Sequence, residues 1–480
     1  MGVPTSWAAR FRLRQYVKAS LWIVPMLGLV LGALLAELAL AADGADWPPS
    51  GWHYSATTAS DVLTAIVGAM VALLGFVVTI GVLVVQQATG TLSPRYMRLW
   101  YRDRLQKAVL ATFTGTFAFA FSLLRSIESG SVPDLGVTLA GVAVAVSLVL
   151  LLVYLNRFTH SLRPVAIAEL VTRMGEDVFT TGASAVRGAA PSRDGTVPTG
   201  TPVLRLSTGH GGAVQAFDVA GLVAEAARHD CVFVVTRLIG DFVPAGTVLV
   251  EVHGGTSTPD PDRVTALVAL GPERTIEQDP AFAVRVLVDI AIRALSPAVN
   301  DPTTAVQVIN YIESFLHTVG RERLPGRYVL ADREGHARLV LPGRDWESYL
   351  QLAVCEIRDY GASSVQICRR LRAMLEDLLD ALPPPQQAAV RAELHLLQES
   401  IERGFPDATR RAIAQDADRQ GIGGHPRPRR GDSPSSPPHP PPPPCAGGRG
   451  RRLWAWWVRG RRGPREGRAA RGRGGSAEPS

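Results

Sequence analysis

The chain has 480 residues, 46% of them hydrophobic and 19% charged, with a formal net charge of +7. That charge does not argue for a nucleic-acid partner, because residues 421–480 hold thirteen Arg against Asp432, Glu466 and Glu478, which leaves the stretch 164–420 net acidic and a poor match to a polyanion. The apolar residues of the first 155 positions are gathered into four long segments, which excludes a wholly soluble protein.

The segments run from Ala19 to Ala41, Val62 to Val85, Ala108 to Leu124 and Leu135 to Leu155. Each approaches the length a helix needs to cross a hydrocarbon layer of about 30 Å, the third being the shortest. The flanking charges alternate. Arg10, Arg12, Arg14 and Lys18 precede the first segment, whereas Asp43, Asp46 and Asp61 follow it; Arg95, Arg98, Arg102, Arg104 and Lys107 fill the second loop, and Arg157 and Arg163 follow the fourth segment. Positive flanks stay in the cytosol, so the expectation is a multi-pass protein of the inner (plasma) membrane with both termini cytoplasmic. Ala39-Leu40-Ala41 resembles a signal-peptide cleavage site, but the apolar stretch before it is longer than a secretory h-region, and a retained signal anchor fits better.

Three features of this half bear on mechanism. Gly28 and Gly32 form a G-x-x-x-G face that permits close helix approach and is a candidate for homo-oligomer contact. Glu37 is the one acid inside a segment: it is either a step on an ion path, as is small-residue Gly68, Gly75 and Gly81 in the second segment, or a carboxylate near enough to the outer end to reach water. The second loop interleaves Arg95, Tyr96, Arg98, Trp100, Tyr101, Arg102, Arg104 and Lys107, which suits contact with anionic headgroups or a simple positive flank with an aromatic belt.

Past the fourth segment, residues 161–200 read as a helix and a Gly/Ala/Pro/Ser/Thr linker. Residues 201–275 form a small β-rich module, with strands expected at Val203–Leu206, Ala213–Phe217, Cys231–Arg237 and Thr247–Val252. The turn from Gly240 to Leu249 resembles that of a lipoyl-type sandwich, yet no lysine sits at a hairpin tip to carry a swinging cofactor. Residues 276–420 are mainly helical. Asp279-Pro280 and Asp301-Pro302 are N-cap and N1-proline signatures, a hairpin is expected at Tyr328 to Leu341, and helices follow at 345–360, 362–382, 385–403 and 406–419. The whole is a four-helix membrane domain (1–160) followed by an α+β cytoplasmic part, and the Pro- and Arg-rich tail 421–480 is expected to be disordered, either as an arm toward anionic lipid or as a dispensable extension.

The candidate chemistry is sparse. Arg285, Asp289 and Arg293 recur every four residues on an otherwise apolar helix, forming one charged stripe that is either a structural ladder or the wall of a ligand or ion site, with Asn300, Asp301, Thr303 and Thr304 on the connection beyond it. The four cysteines form no C-x-x-C pair, the histidines show no metal-ligand spacing, and no P-loop, dinucleotide turn or nucleophile elbow is present, so no metal, cofactor or catalytic residue is assigned.

Gln86-Gln87-Ala88, Leu92-Ser93-Pro94-Arg95, Arg102-Asp103-Arg104, Asp279-Pro280-Ala281-Phe282 and the run from Ala294 to Ala305 occur in one order that resembles the bacterial family of predicted membrane proteins catalogued as domain of unknown function 2254, over about residues 10–415. The resemblance implies an integral membrane protein and no particular activity. Three functions stay open: a non-enzymatic sensor whose cytosolic part binds an unknown cytosolic partner and reports through a continuous fourth-segment helix; an oligomeric channel or transporter using Glu37; and a membrane-bound enzyme whose Arg285, Asp289, Arg293, Asn300 and Asp301 meet in an open cleft.

Overall fold

The computed structural model describes residues 6–43, 53–91, 103–127, 132–161, 163–188, 198 and 200–423. The loop residues from Arg95 to Arg102 and the tail beyond 423, with Cys445, lie outside these. Four helices are long and apolar enough to cross a membrane, over Ile23–Ala42, Ala56–Gln86, Arg104–Ser126 and Asp134–Arg157. They belong to helices α2 (Ile23–Asp43), α3 (Ala56–Thr91), α4 (Arg104–Ser126) and α5 (Asp134–Ser161), preceded by the basic helix α1 (Trp7–Ala19).

The bundle is tightest where the sequence is smallest. A Cβ on Gly28 would lie 2.3 Å from the Ala111 carbonyl oxygen, and one on Gly32 would lie 2.1 Å from that of Gly115, so α2 and α4 cross backbone to backbone. The Thr114 hydroxyl, also on α4, donates to the Pro25 carbonyl at 2.8 Å. The G-x-x-x-G face is therefore occupied within the chain and is not open to a second copy. By contrast, Gly68 and Gly75 on α3 meet no other atom within 4 Å of an added Cβ.

The bundle does not end at the membrane. α3 has 36 residues, more than a span requires, and Val85 near its end packs against the core of the body that follows. Helix α6 (Pro164–Gly188) begins three positions after α5 ends, so the fourth span and α6 are two helices with Pro164 opening the second, not the continuous rod expected. On α6, Ile167, Ala168, Val171 and Phe179 join the main hydrophobic core, and Gly175 lets the helix approach so closely that an added Cβ would lie 2.7 Å from that of Ala283.

The extramembrane body has two sheets and a helical layer. The five-stranded sheet runs β1 (Leu204–Ser207), β5 (Val248–Gly254), β3 (Cys231–Val235), β8 (Ala337–Pro342) and β7 (Arg327–Ala331), and the three-stranded sheet runs β4 (Phe242–Val243), β2 (Gly212–Phe217) and β6 (Val268–Gly271). All pairs are antiparallel except β3 with β8, where Phe233 lies beside Leu339. The Gly240–Leu249 turn passes from one sheet to the other, with Gly240 at φ +94° and Gly246 at φ +82°. Short helices α7 (Val219–Arg228) and α8 (Pro261–Thr265) complete this layer, and Phe217, Leu222, Phe233, Val250 and Leu339 share its core.

The helical layer is built around α9 (Pro280–Ala294) and α10 (Pro302–Gly320), capped by Asp279 and Asp301, whose carboxylates accept from the Phe282 and Thr304 amides at 3.2 and 3.0 Å. Ten side chains of α9 are buried, against α6, α10 and the later helix α11 (Trp346–Gly361), while α12 (Val365–Ala381) packs on α10 and α11. Helices α13 (Pro384–Gly404) and α14 (Ala408–Ala414) finish the layer. Burying each large aliphatic side chain contributes about 1.5–3 kcal/mol, so α9 is the energetic centre of the body.

One arrangement had no forewarning in the sequence. α1, which reads as a charged flank, docks on the body: the Ala8 amide donates to the Ala266 carbonyl at 3.0 Å, and Ala8 shares a small core with Ala216 and Ala269 beneath the stacked rings of Trp7 and Phe11.

Candidate functional site

The charged stripe on α9 is closed by protein. The Arg285 Nε donates to Asp289 at 2.8 Å, and its guanidinium also pairs with Glu356 of α11; the Glu356 hydrogen bond, opposed by burial, holds the Arg285 pKa above its ordinary value. Ser296 donates its hydroxyl to the Arg293 carbonyl at 2.7 Å, closing the last turn of α9. Asn300 stands at φ +47° on an exposed connection, a left-handed conformation that Asn tolerates. Asp301 directs one oxygen to the Thr304 amide and the other to its hydroxyl, at 3.0 and 2.5 Å, while Thr303 is exposed. These residues occupy the middle and C-terminal end of α9 and the start of α10, and none of them lines the cavity described below.

The membrane candidates divide in the same way. Glu37 is exposed on the outside of the bundle among exposed Leu34, Leu35 and Leu38. Arg104 is exposed at the start of α4. Lys107 is corrected from a headgroup contact to an internal one: it is buried, and its amine donates to the Lys18 carbonyl at 2.6 Å and the Val17 carbonyl at 3.4 Å. A cation at the C-terminal end of α1 satisfies its last carbonyls and opposes the negative end of its dipole. The remaining loop candidates, Arg95, Tyr96, Arg98, Trp100, Tyr101 and Arg102, lie outside the described residues.

What the sequence did not disclose is a cavity of about 540 Å³ at the other end of α9. Its walls come from α6 (Val178, Phe179), from the sheet layer (Val219, Ile239), from the segment before β7 (Leu324) and from β8 (Leu341). Such a volume is ordinary for a small-molecule site. Its polar groups gather on Asp279, Arg344, Tyr328 and Tyr349. Asp279 is held by Arg274, at 3.0 Å from Nε and 2.6 Å from a terminal nitrogen; burial nonetheless keeps its carboxyl above the ordinary value, against the pull of Arg274 and Arg344. Glu277 is paired with Lys18 of α1 at 3.2 Å, and the Gln278 side chain is clamped on both backbone groups of Phe217 at 3.0 and 3.2 Å.

Tyr349 is 5% exposed, with its ring edge-on to Phe179 at 6.3 Å, and burial, with Asp279 nearby, raises its hydroxyl pKa. Tyr328 is raised by burial too. Its ring lies where any side chain at position 343 would stand, so Gly343 is required to admit it.

Burial pushes the Cys231 and Cys368 thiols to about 11, which keeps them protonated and unreactive. Among the described residues no group of three His, Cys, Asp or Glu side chains is placed to hold a metal ion. No local pattern could have revealed the cavity, because its lining is drawn from six separated stretches; Asp279-Pro280 was legible, but only as a cap.

No solved structure matches the chain. An uncharacterized protein of Mycobacterium bovis and one of Mycobacterium tuberculosis are each 28% identical to it over 428 residues, covering 84% of this chain and 80% of theirs. The model of the predicted membrane protein family DUF2254 matches residues 18–377, which include the four spans, α6, both sheets and α9 to α11. With the apolar bundle and the α+β body both inside that match, the chain belongs to the DUF2254 family of predicted membrane proteins.

Proposed function

We propose that this protein is a non-enzymatic sensor of the plasma membrane, with both termini in the cytosol, whose body binds a ligand or partner and transmits that event to the spans. The observation that carries the reading is α6. It starts just after the fourth span, and its buried face is part of the same core as α9 and α10, so a rearrangement of that core moves a helix tied to the membrane. Two further contacts bind bundle to body: Val85 at the end of the second span, and α1 with its Lys18–Glu277 pair. The docking of α1 on β6 sets the N-terminal segment on the side of the body, in keeping with an even number of spans and with the basic flanks.

The test is hydrogen exchange on the full chain in lipid nanodiscs. Amides 166–182 of α6 are expected to exchange with those of α9, only through opening of the shared core. Independent, fast exchange of α6 would remove the coupling. Orientation is read by labelling Thr57→Cys in intact cells with a membrane-impermeant maleimide; its protection there would reverse the topology.

The channel reading rests on Glu37, Gly68 and Gly75 facing outward, which requires neighbouring copies to enclose a path. Planar-bilayer recording of the reconstituted protein separates the two: a conductance altered in Glu37→Gln replaces the sensor with a pore.

A further inference from the structure

We propose that the cavity at the N-terminal end of α9 binds a single-chain amphiphile with an acidic headgroup, a fatty acid or monoacyl phosphate, its tail among Val178, Phe179, Ile239, Leu324 and Leu341 and its anionic group on Arg344 and the Tyr349 hydroxyl. The inference rests on the sensor reading above and supplies the ligand for it.

Charge accounting at the site selects the headgroup. Of the acids that line the cavity, Asp279 is neutralised by Arg274 and Glu277 by Lys18, while Asp177 is exposed to solvent at the rim. Arg344 is half-buried and has no carboxylate within salt-bridge distance among the described residues. Two guanidiniums thus attend the single carboxylate of Asp279, and the second is left to a guest. The Asp279 and Asp345 carboxyls feel the Arg344 charge without bonding to it, so its donors stay available for charge-assisted hydrogen bonds to an incoming carboxylate or phosphate.

Tyr349 is the second, independent observation. It is 95% buried by its 5% exposure, it lines the cavity, and its hydroxyl makes no hydrogen bond among the described residues. The ring is buried, but the hydroxyl oxygen keeps some accessible surface, so a guest in the cavity can reach it. An accessible hydroxyl with no protein partner, beside a cation that forms no salt bridge among the described residues, is what an acidic headgroup completes.

The walls select the tail. They are aliphatic and aromatic, and about 540 Å³ is room for one chain rather than for a diacyl lipid. Position agrees: Val178 lies fourteen residues along α6 from Pro164, roughly 21 Å at 1.5 Å per residue, on the body and not on a span. A monoacyl anion is soluble enough in water to reach such a site. Filling the cavity changes the contact of Val178 and Phe179 with the hairpin side, which is the α6 surface through which the sensor acts.

The experiment uses the full chain in phosphatidylcholine nanodiscs with a dansyl-labelled undecanoic acid as probe, titrated against empty nanodiscs. Saturable binding is expected, displaced equally by decanoate and decyl phosphate, about tenfold less well by decanol, and not by inorganic phosphate. Arg344→Ala should weaken binding about tenfold, Tyr349→Phe several-fold, and Leu324→Trp should abolish it. Hydrogen exchange of α6 in each variant, unchanged without ligand, shows that the fold persists. Binding that survives both Arg344→Ala and Leu324→Trp overturns the site; displacement by inorganic phosphate overturns the amphiphile in favour of a small-anion site; equal competition by decanol overturns the acidic headgroup. Loss of the ligand with α6 still protected refutes this inference alone, whereas an unprotected α6 refutes the sensor itself.

Discussion

Helices α2 and α9 are both apolar rods interrupted by acid, and they live in opposite surroundings. α2 exposes Leu27, Leu31, Leu34 and Leu38 outward and contacts its neighbours through glycine, while α9 exposes none of its large aliphatic side chains and meets α6, α10 and α11. Length separates them: 21 residues of α2 reach about 31 Å and can cross a bilayer, whereas 15 residues of α9 reach about 22 Å and cannot. Charge follows the same division. On α9, Arg285 and Asp289 are paired with each other and with α11; on α2, Glu37 faces away from the protein. An apolar helix in lipid needs protein contact only at its crossing points, but an apolar helix in water needs it all round.

The largest effect is expected at the α2 crossing. Gly32→Leu would drive a side chain into the Gly115 carbonyl and should abolish the monodisperse, folded protein, while Gly68→Leu, on a face with no atom within 4 Å, should purify normally. Equal behaviour in size-exclusion chromatography would mean that the close crossing is not needed for the fold.

Next comes the core of α9. Leu287→Ala, at a fully buried position, should cost about 2–5 kcal/mol, against a few tenths for Leu34→Ala on the outward face of α2. Native-state hydrogen exchange of the α10 amides reads both. If the two cost the same, the contrast between the helices is lost.

A smaller effect belongs to the ion network. Arg285→Ala should destabilise by about 1–3 kcal/mol, since it removes a partner from Asp289, which is 13% exposed. Glu37→Gln should leave stability unchanged. The same exchange measurement separates the variants, and parity between them would show that the network on α9 does no more than an unpaired surface charge.

The smallest is a pH effect in the β7–β8 hairpin. Burial pushes the Asp332 carboxyl up, but the Arg338 guanidinium at 2.6 Å and the His336 amide outweigh it and hold it below the ordinary carboxylate value. A folded-state pKa below the unfolded one stabilises the fold at neutral pH, and that contribution is lost as pH falls below about 4 through the folded value. Arg338→Met should therefore flatten the acid limb of a stability profile. An unchanged limb would show that the pair is not linked to folding.

The spans were legible because each element satisfies its own backbone and needs only length and apolarity to declare itself. The caps at Asp279 and Asp301 were legible for a similar reason, since an Asp-Pro step acts within four residues. The stripe of Arg285 and Asp289 was visible as a stripe, but Glu356, which closes it, lies 71 residues from Arg285 in sequence, and no local pattern names it. The close approach that Gly28 and Gly32 permit was legible, but its partner was not: a small-residue face says nothing about whether it meets α4 or another copy. Lys107 likewise read as a headgroup contact until α1 was seen to end beside it.

By itself, then, the sequence determined four spans, basic flanks, an α+β body and the capped helices at its centre, all properties of contiguous residues acting through hydrogen bonding and burial over one or a few turns. Only the tertiary structure decided that α1 docks on β6, that α6 packs into the core of the body, that β8 lies parallel to β3, and that Arg344, Tyr349 and Asp279 meet at one end of α9. Those are choices among distant partners, made by which apolar faces fit one another, and they shape the cavity to which the ligand is assigned.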